Sequence, residues 1–388
     1  MKEKWTYKKL GEVGSIITGS TPSTKDEENY SSNDYCFVKP SDISKDGISI
    51  IEETEFHVSK KGFDSSRKLP KGSVLTTCIG IIGKVGILQK DAICNQQINA
   101  IIPSSVIDSK FLALAIYSIR NEMEIMANAP VVPIINKTDF SNFKIPVPPI
   151  ETQSRIVSEL DLLQSIIDKQ KAQLKELDNL AQAVFYDMFG DPVENEKGWE
   201  VKKLGDECTD MKYGTSRPSC ENGKYSYLRM CNISSDGHLD LNNLKTIDVP
   251  DDEVEKCIVR YGDILFNRTN SIDLIGKTCM FDLETPMIIA GYIIRVRLSE
   301  KIESRFVSCM FNMPSMKKLL RAMAKGAVNQ ANINSKELAS IIIPIPPVIL
   351  QHSFATKIES IEKQKAAINQ SIAETQRLFD YTMDKYFG

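Results

Sequence analysis

Several polar stretches carry the side chains best suited to hydrogen-bonding a planar base edge or a phosphate. They are ITGSTPSTK (17–25) with its counterpart KYGTSRPS (212–219), CNQQIN (94–99), NRTNS (267–271) and VNQANIN (328–334). An asparagine or glutamine amide matches the donor and acceptor pattern of adenine, and an arginine fork matches guanine. Lysines and hydroxyls hold phosphates without reading sequence. On this chemistry the candidate contacts in the first half are Ser20, Thr21, Ser23, Lys39, Thr76, Thr77, Lys84, Asn95, Gln96 and Gln97. In the second half they are Thr215, Ser216, Arg217, Arg229, Asn267, Arg268, Thr269, Asn270, Lys277, Asn329, Gln330 and Asn332. The competing reading is that Asn, Gln and Ser merely satisfy turn backbones. Their recurrence in both halves favours a binding face.

Catalytic patterns fail when tested one by one. A base-amino methyltransferase needs an acceptor, two prolines and an aromatic ring in succession. Here PVPPI and PIPPV put valine or isoleucine at both working positions, and no glycine-rich loop for a methyl donor is evident. Gly276-Lys277-Thr278 could end a phosphate loop, but Ser271 stands where its first glycine belongs. A glycine turn between strands is the simpler expectation there. Glu200-Val201-Lys202 fits the E-x-K of a metal-dependent nuclease, yet its counterpart is Thr6-Tyr7-Lys8, without a carboxylate. His57, His238 and His352 show no metal-ligand spacing. The nine cysteines contain no C-x-x-C pair and read as reduced, buried thiols, not as a disulfide frame or zinc ligands. No catalytic residue and no metal ligand is assigned.

The elements that would position the polar loops occur twice. IPVPPIETQSR begins at residue 145 and IPIPPVILQHS at residue 343, which is 198 residues later. WTYKKLGEV at Trp5 answers WEVKKLGDE at Trp199, and these are the only two tryptophans. FVKPSDISKDG matches YLRMCNISSDG, KGSVL matches YGDIL, IIGKV matches LIGKT, and Phe189-Gly190 matches Phe387-Gly388, all in unbroken order. A period near 190 residues is too long for a solenoid and describes two tandem domains.

After each proline cassette a heptad begins. Ile156, Leu160, Leu163, Ile167, Leu174 and Leu177 fall at alternating steps of four and three, with Gln170 the polar exception. Phe354, Ile358, Ile361, Ile368 and Ile372 continue the same register in the second half, where Lys365 and Thr375 weaken the seam. Two seam-bearing helices in one chain can cover each other, so residues 151–188 and 349–386 are expected to pair as a coiled coil, each roughly 57 Å long at about 1.5 Å per residue. The competing arrangement has each helix folding back on its own domain. The prolines mark a firm helix boundary. GSVLTTCIGIIGKVGIL and PMIIAGYIIRVRL read as strands, and DSKFLALAIYSI and VSCMFNMPSMKKLLRAM as helices. The expected fold is therefore mixed α/β. Residues 1–150 form the first globular domain, 151–190 a central helix, 191–348 the second domain and 349–388 a C-terminal helix.

Composition sets limits. Over 388 residues the net charge is −3, which excludes coating nucleic acid by bulk charge but allows a local basic face. There is no apolar run of membrane-spanning length and no signal-like start, so a cytoplasmic protein is expected.

The two cassettes leading into heptads, the junction MFGDPVENEKGWEVKKLGD, NQQINAI and the closing YFG together resemble the specificity subunit of Type I restriction-modification enzymes, across all 388 residues. That resemblance implies two target-recognition domains that each read half of a split DNA site. It also implies an antiparallel helical spacer that docks methyltransferase subunits, with restriction/translocase subunits joining the complex. The chain itself would be non-catalytic and without a cofactor. Its partners would use S-adenosylmethionine, ATP and magnesium to methylate adenine N6 and to cleave DNA. One departure is Ile349-Leu350-Gln351, where the family favours an acid before the glutamine, as in Glu151-Thr152-Gln153. Weak DNA binding by this chain alone is expected from its acidic balance. The alternatives are a fused methyltransferase or nuclease, and a coiled-coil adaptor with no DNA role.

Overall fold

The computed structural model describes residues 5–127, 133–327 and 330–388. The chain divides into two compact units, Met1–Lys171 with Gln370–Gly388, and Ala172–Asn369. The heptad stretches are single helices, Ile150–Phe189 and Val348–Phe387, and each contributes one part to each unit.

In the first unit a five-stranded sheet runs in the order Gly14–Thr18, Ile98–Pro103, Val74–Thr77, Val85–Leu88, Ile48–Ile51. Strand Tyr35–Val38 pairs antiparallel with His57–Val58 and parallel with Ala92–Cys94. The second unit repeats this plan. Cys208–Tyr213, Ile293–Leu298, Ile264–Asn267 and Thr278–Met280 form its main sheet, and Tyr225–Leu228 pairs parallel with Met287–Ile289. The duplicated strings thus build duplicated topology. The expected strands and helices are present. VSCMFNMPSMKKLLRAM is two helices, Ser304–Asn312 and Pro314–Met323, because Pro314 starts the second where its missing N–H is harmless.

The prolines mark the helix boundary as expected, since the long helices begin at Ile150 and Val348. The first part of each cassette is also a strand, Lys144–Val147 paired with Thr6–Lys9 and Ile342–Pro344 paired with Val201–Lys203. Proline is tolerated because a two-stranded ribbon has only edges. The cassette's glutamine is the buried part. Gln153 Oε1 accepts from the Asp108 N–H at 2.9 Å, and its Nε2 donates to Val106 O at 3.0 Å and Pro148 O at 2.8 Å. Gln351 repeats the clasp, accepting from the Glu303 N–H at 2.8 Å and donating to Pro346 O at 2.7 Å. Asp108 and Glu303 are themselves the N-caps of the helices Ser109–Ser118 and Ser304–Asn312. One glutamine therefore fixes the start of a long helix to the start of a core helix.

Within each unit the two long-helix segments run antiparallel. In the first, Tyr386 donates to Glu159 Oε2 at 2.7 Å and Gln170 Nε2 donates to Ser371 Oγ at 2.7 Å. In the second, Lys365 Nζ reaches Asp178 Oδ1 at 2.8 Å, and the Phe185 and Phe354 rings meet edge to face. Every seam position is buried or half-buried; Leu174, Ile368 and Ile372 are in the half-buried group. Burial pulls the Lys365 ammonium down, but Asp178 and Glu362 outweigh it and hold the group above the usual lysine range. This polar seam residue is charged and paired.

Helix pairing and packing onto the domain, read as competitors, coexist. Ile156 and Leu160 enter the first core, while Leu177, Phe354, Ile358 and Ile361 enter the second. Phe185 and Phe189, off the heptad seam, widen the stripe where it meets Phe306 of the second core. In the first core Tyr386 stacks on Trp5 at 5.9 Å and Phe387 meets Phe111 at 5.2 Å. Trp199 instead donates Nε1–H to Phe189 O at 2.9 Å. The paired tryptophans and Phe-Gly ends are thus helix-end anchors. Among the described residues no helix is long and apolar enough to cross a membrane.

Candidate nucleic-acid interface

The loops that carry the candidate contacts leave the main sheets through the same device in both units. Thr18 pairs with Asn99 across the ladder, and its hydroxyl donates to Asn99 Oδ1 at 2.7 Å. The next residue, Gly19, passes so close to the 94–99 loop that a Cβ would lie 2.1 Å from Asn95 O. Gly214 approaches Ile289 O equally closely. Only glycine permits this approach. It lets Ser20 N–H bond Cys94 O at 2.8 Å and Thr215 N–H bond Ile289 O at 2.9 Å.

In the first unit this joins two of the predicted loops. Thr21 Oγ1 donates to Gln96 Oε1 at 2.7 Å, and Asn95 Nδ2 donates to Gln97 Oε1 at 2.9 Å. Lys84 Nζ bonds Pro40 O at 2.8 Å, beside Lys39, whose ammonium sits over the Phe56 ring. Arg67, absent from the sequence-based set, donates to Thr18 O at 2.7 Å and borders the same loop. Its neighbourhood SSRKLP looks like ordinary surface charge, so no signal pointed to it.

In the second unit the loops border a cleft of about 670 Å³ lined by Tyr213, Thr215, Ser216, Arg217, Lys256 and Arg268, among others. The Arg268 guanidinium stacks over Tyr213 at 4.8 Å, and its NH2 group donates to Asn332 Oδ1 at 3.4 Å. Asn332 in turn donates to Thr269 Oγ1 at 3.0 Å, across the pairing of Thr269–Asn270 with Gln330–Asn332. Among the described residues Arg268 Nε has no hydrogen-bond partner, although it is buried. Arg217 makes a two-point pair with Glu253, at 3.0 and 2.7 Å, and that pair holds the Glu253 carboxyl below the usual range. Lys256 also escaped the sequence-based set. Gly276-Lys277-Thr278 forms the expected turn, with Gly276 at φ +72°. Burial depresses the Lys277 ammonium, and it pulls neighbouring Lys317 down to about 8. Lys317 Nζ donates to Gly276 O at 3.1 Å.

The remaining candidates divide by exposure. Ser20, Lys39, Lys84, Gln97, Arg229, Asn270, Lys277 and Asn332 are half-buried, and Thr21, Ser23, Gln96, Ser216, Arg217 and Gln330 are exposed. Five assignments need correction, because Thr76, Thr77, Asn95, Asn267 and Thr269 are buried and cannot present their side chains outward, while Thr215 is largely buried but still borders the cleft. Thr77 donates to Ile81 O at 2.6 Å and Asn267 to Met230 O at 3.4 Å, so both serve the backbone that shapes the turns. Asn329 lies outside the described residues. Two thiols also depart from expectation, since Cys220 and Cys231 are exposed.

Both halves match the family model described as the Type I restriction modification DNA specificity domain, over residues 2–179 and 196–376. The EcoKI specificity subunit of Escherichia coli is 23% identical, over all of this chain and 89% of that protein. The MjaIX specificity subunit of Methanocaldococcus jannaschii is 28% identical over 58% of this chain and 57% of that relative. In fold, the chain resembles a Type I specificity subunit from M. genitalium, with a TM-score of 0.57, 14% identity and 99% and 96% of the two chains covered. A chain from a Type I restriction-modification assembly study gives a TM-score of 0.62 at 20% identity, covering 98% and 97%.

Proposed function

The chain belongs to the Type I restriction-modification DNA specificity family, and from that premise we propose that it is the sequence-reading subunit of such a complex. The observation that carries this reading is the family match in both halves, each with the same glycine-gated polar loops on the same sheet plan. Two diverged readers in one chain suit two different half-sites, so the target is a split, asymmetric sequence. The loops at 18–23 and 94–97 serve one half-site. The cleft lined by Arg217 and Arg268 serves the other. The family match favours this reading over a fused enzyme or a DNA-free adaptor.

The paired helices set the half-site separation and offer the surface for methyltransferase subunits, with restriction/translocase subunits completing the assembly. In this proposal S-adenosylmethionine, ATP and magnesium belong to those partners, adenine N6 is the methylated position, and the complex works in the cytoplasm. The chain's role is to place that chemistry. With a net charge of −3, affinity comes from local cations and from the partners.

Binding of the chain together with its methyltransferase partner to duplexes of varied gap length, at several salt concentrations, tests the proposal. Tight binding at one gap length, falling steeply with salt, is expected. Binding indifferent to gap length would contradict a two-headed reader.

A further inference from the structure

Cys36, Glu53 and His57 are brought together by the first unit's strand register. Antiparallel pairing sets Cys36 directly opposite His57, and Glu53 precedes His57 by one short loop. His57 Nε2 lies 3.2 Å from Glu53 Oε2, and Cys36 Sγ lies 3.9 Å from the same oxygen. One ligand atom from each residue falls within 4.8 Å of the others, the one such trio of His, Cys, Asp or Glu among the described residues.

These distances suit a tetrahedral ion. Zinc bonds of about 2.3 Å to sulfur and about 2.0 Å to nitrogen and oxygen put neighbouring ligands roughly 3.3–3.5 Å apart. The two edges to Glu53 Oε2, 3.2 and 3.9 Å, lie within about half an ångström of these values, and the Cys36–His57 edge is within 4.8 Å. Two ligands sit on paired strands, where Cys36 is buried and His57 half-buried, and the exposed Glu53 closes the set from a loop. Sulfur with imidazole selects zinc over magnesium or calcium. Glu53 Oε1 is held by the Lys90 ammonium, which leaves Oε2 turned to the other two ligands.

We propose that Cys36, Glu53 and His57 form a site for one divalent cation of the zinc type, with water as the fourth ligand. Binding releases the Cys36 thiol proton to solvent and leaves a thiolate on the metal. The ion ties strand Tyr35–Val38 to His57–Val58 and clamps the segment between Glu53 and His57. That segment carries Phe56, the ring beneath Lys39. Metal occupancy thus steadies the support of one candidate DNA contact.

The test is zinc uptake by the full chain after chelator treatment, measured against a chromophoric chelator, with cobalt(II) as an optical stand-in. One equivalent per chain is expected, with a thiolate-to-cobalt charge-transfer band that Cys36→Ser removes. His57→Asn and Glu53→Gln should each weaken zinc by more than about tenfold, and Lys90→Met, which removes the ammonium that turns Glu53 Oε2 toward the other ligands, should weaken it too. Glu53 is an exposed loop residue, so Glu53→Gln guards against a simple failure to fold. Zinc uptake unchanged by Cys36→Ser, as adventitious binding at the exposed Cys220 and Cys231 would give, overturns the proposal. So does the lack of stoichiometric uptake. The readout is metal alone, and it stands or falls independently of DNA recognition.

Discussion

Gln153 and Gln351 show how a recurrent residue can be structural where it first looks incidental. Each is fully buried, and its amide satisfies groups that begin two helices at once. Gln153→Ala should lower stability by about 1–3 kcal/mol, because buried backbone groups lose their partner; equilibrium denaturant unfolding measures this. Arg268 is the opposite kind of residue. It is stacked on Tyr213 and borders an open cleft. If it reads a base, Arg268→Ala should relax one position of one half-site by about 1–3 kcal/mol and leave the other half-site intact; a uniform loss across all sequences would instead mark a phosphate contact. Lys317 carries a pH signature. Burial holds it near 8, well under its value of 10.5 in the open chain. Below pH 8 it is charged in both states and its burial opposes folding. Between pH 8 and 10.5 the native state has released the proton and the unfolded state has not, so this penalty fades as pH rises. The thermal midpoint advantage of Lys317→Met should therefore be largest near pH 7 and shrink toward pH 10.5.

At the scale of elements, the heptads were legible because helix pairing imposes a period that survives in the residue types. The division of labour along each helix was not. Phe185 and Phe189 fall off the seam and pack against Phe306, a contact set by tertiary structure. The polar loops were legible as a class, but not their exposure. Strands Val74–Thr77 and Ile264–Asn267 are buried throughout, so the alternation that would flag Thr76, Thr77 and Asn267 as inward is absent. The Cys36–His57 juxtaposition depends on strand register, which no local spacing reveals. The seam yields a graded prediction. Leu163 is buried and Leu174 half-buried. Leu163→Lys loses about 2–5 kcal/mol of leucine packing and adds a buried charge, whereas at Leu174 the ammonium can reach water. Thermal melts should rank Leu163→Lys well below Leu174→Lys, and equal effects would argue against the helix pairing.

The whole molecule is one sheet plan used twice, with a helix segment from each half in each unit. That duplication was readable from ordered fragments alone, because six weak matches in one sequence order constrain a fold more than any single motif. What no string could show is which bases the two faces select. The central claim is that this chain chooses where its partners methylate. The direct measurement is a genome-wide map of modified bases in cells carrying the partner methyltransferase, with and without this chain. The account predicts a split, asymmetric motif of fixed gap that vanishes when the chain is deleted. Methylation that persists unchanged without the chain would contradict it.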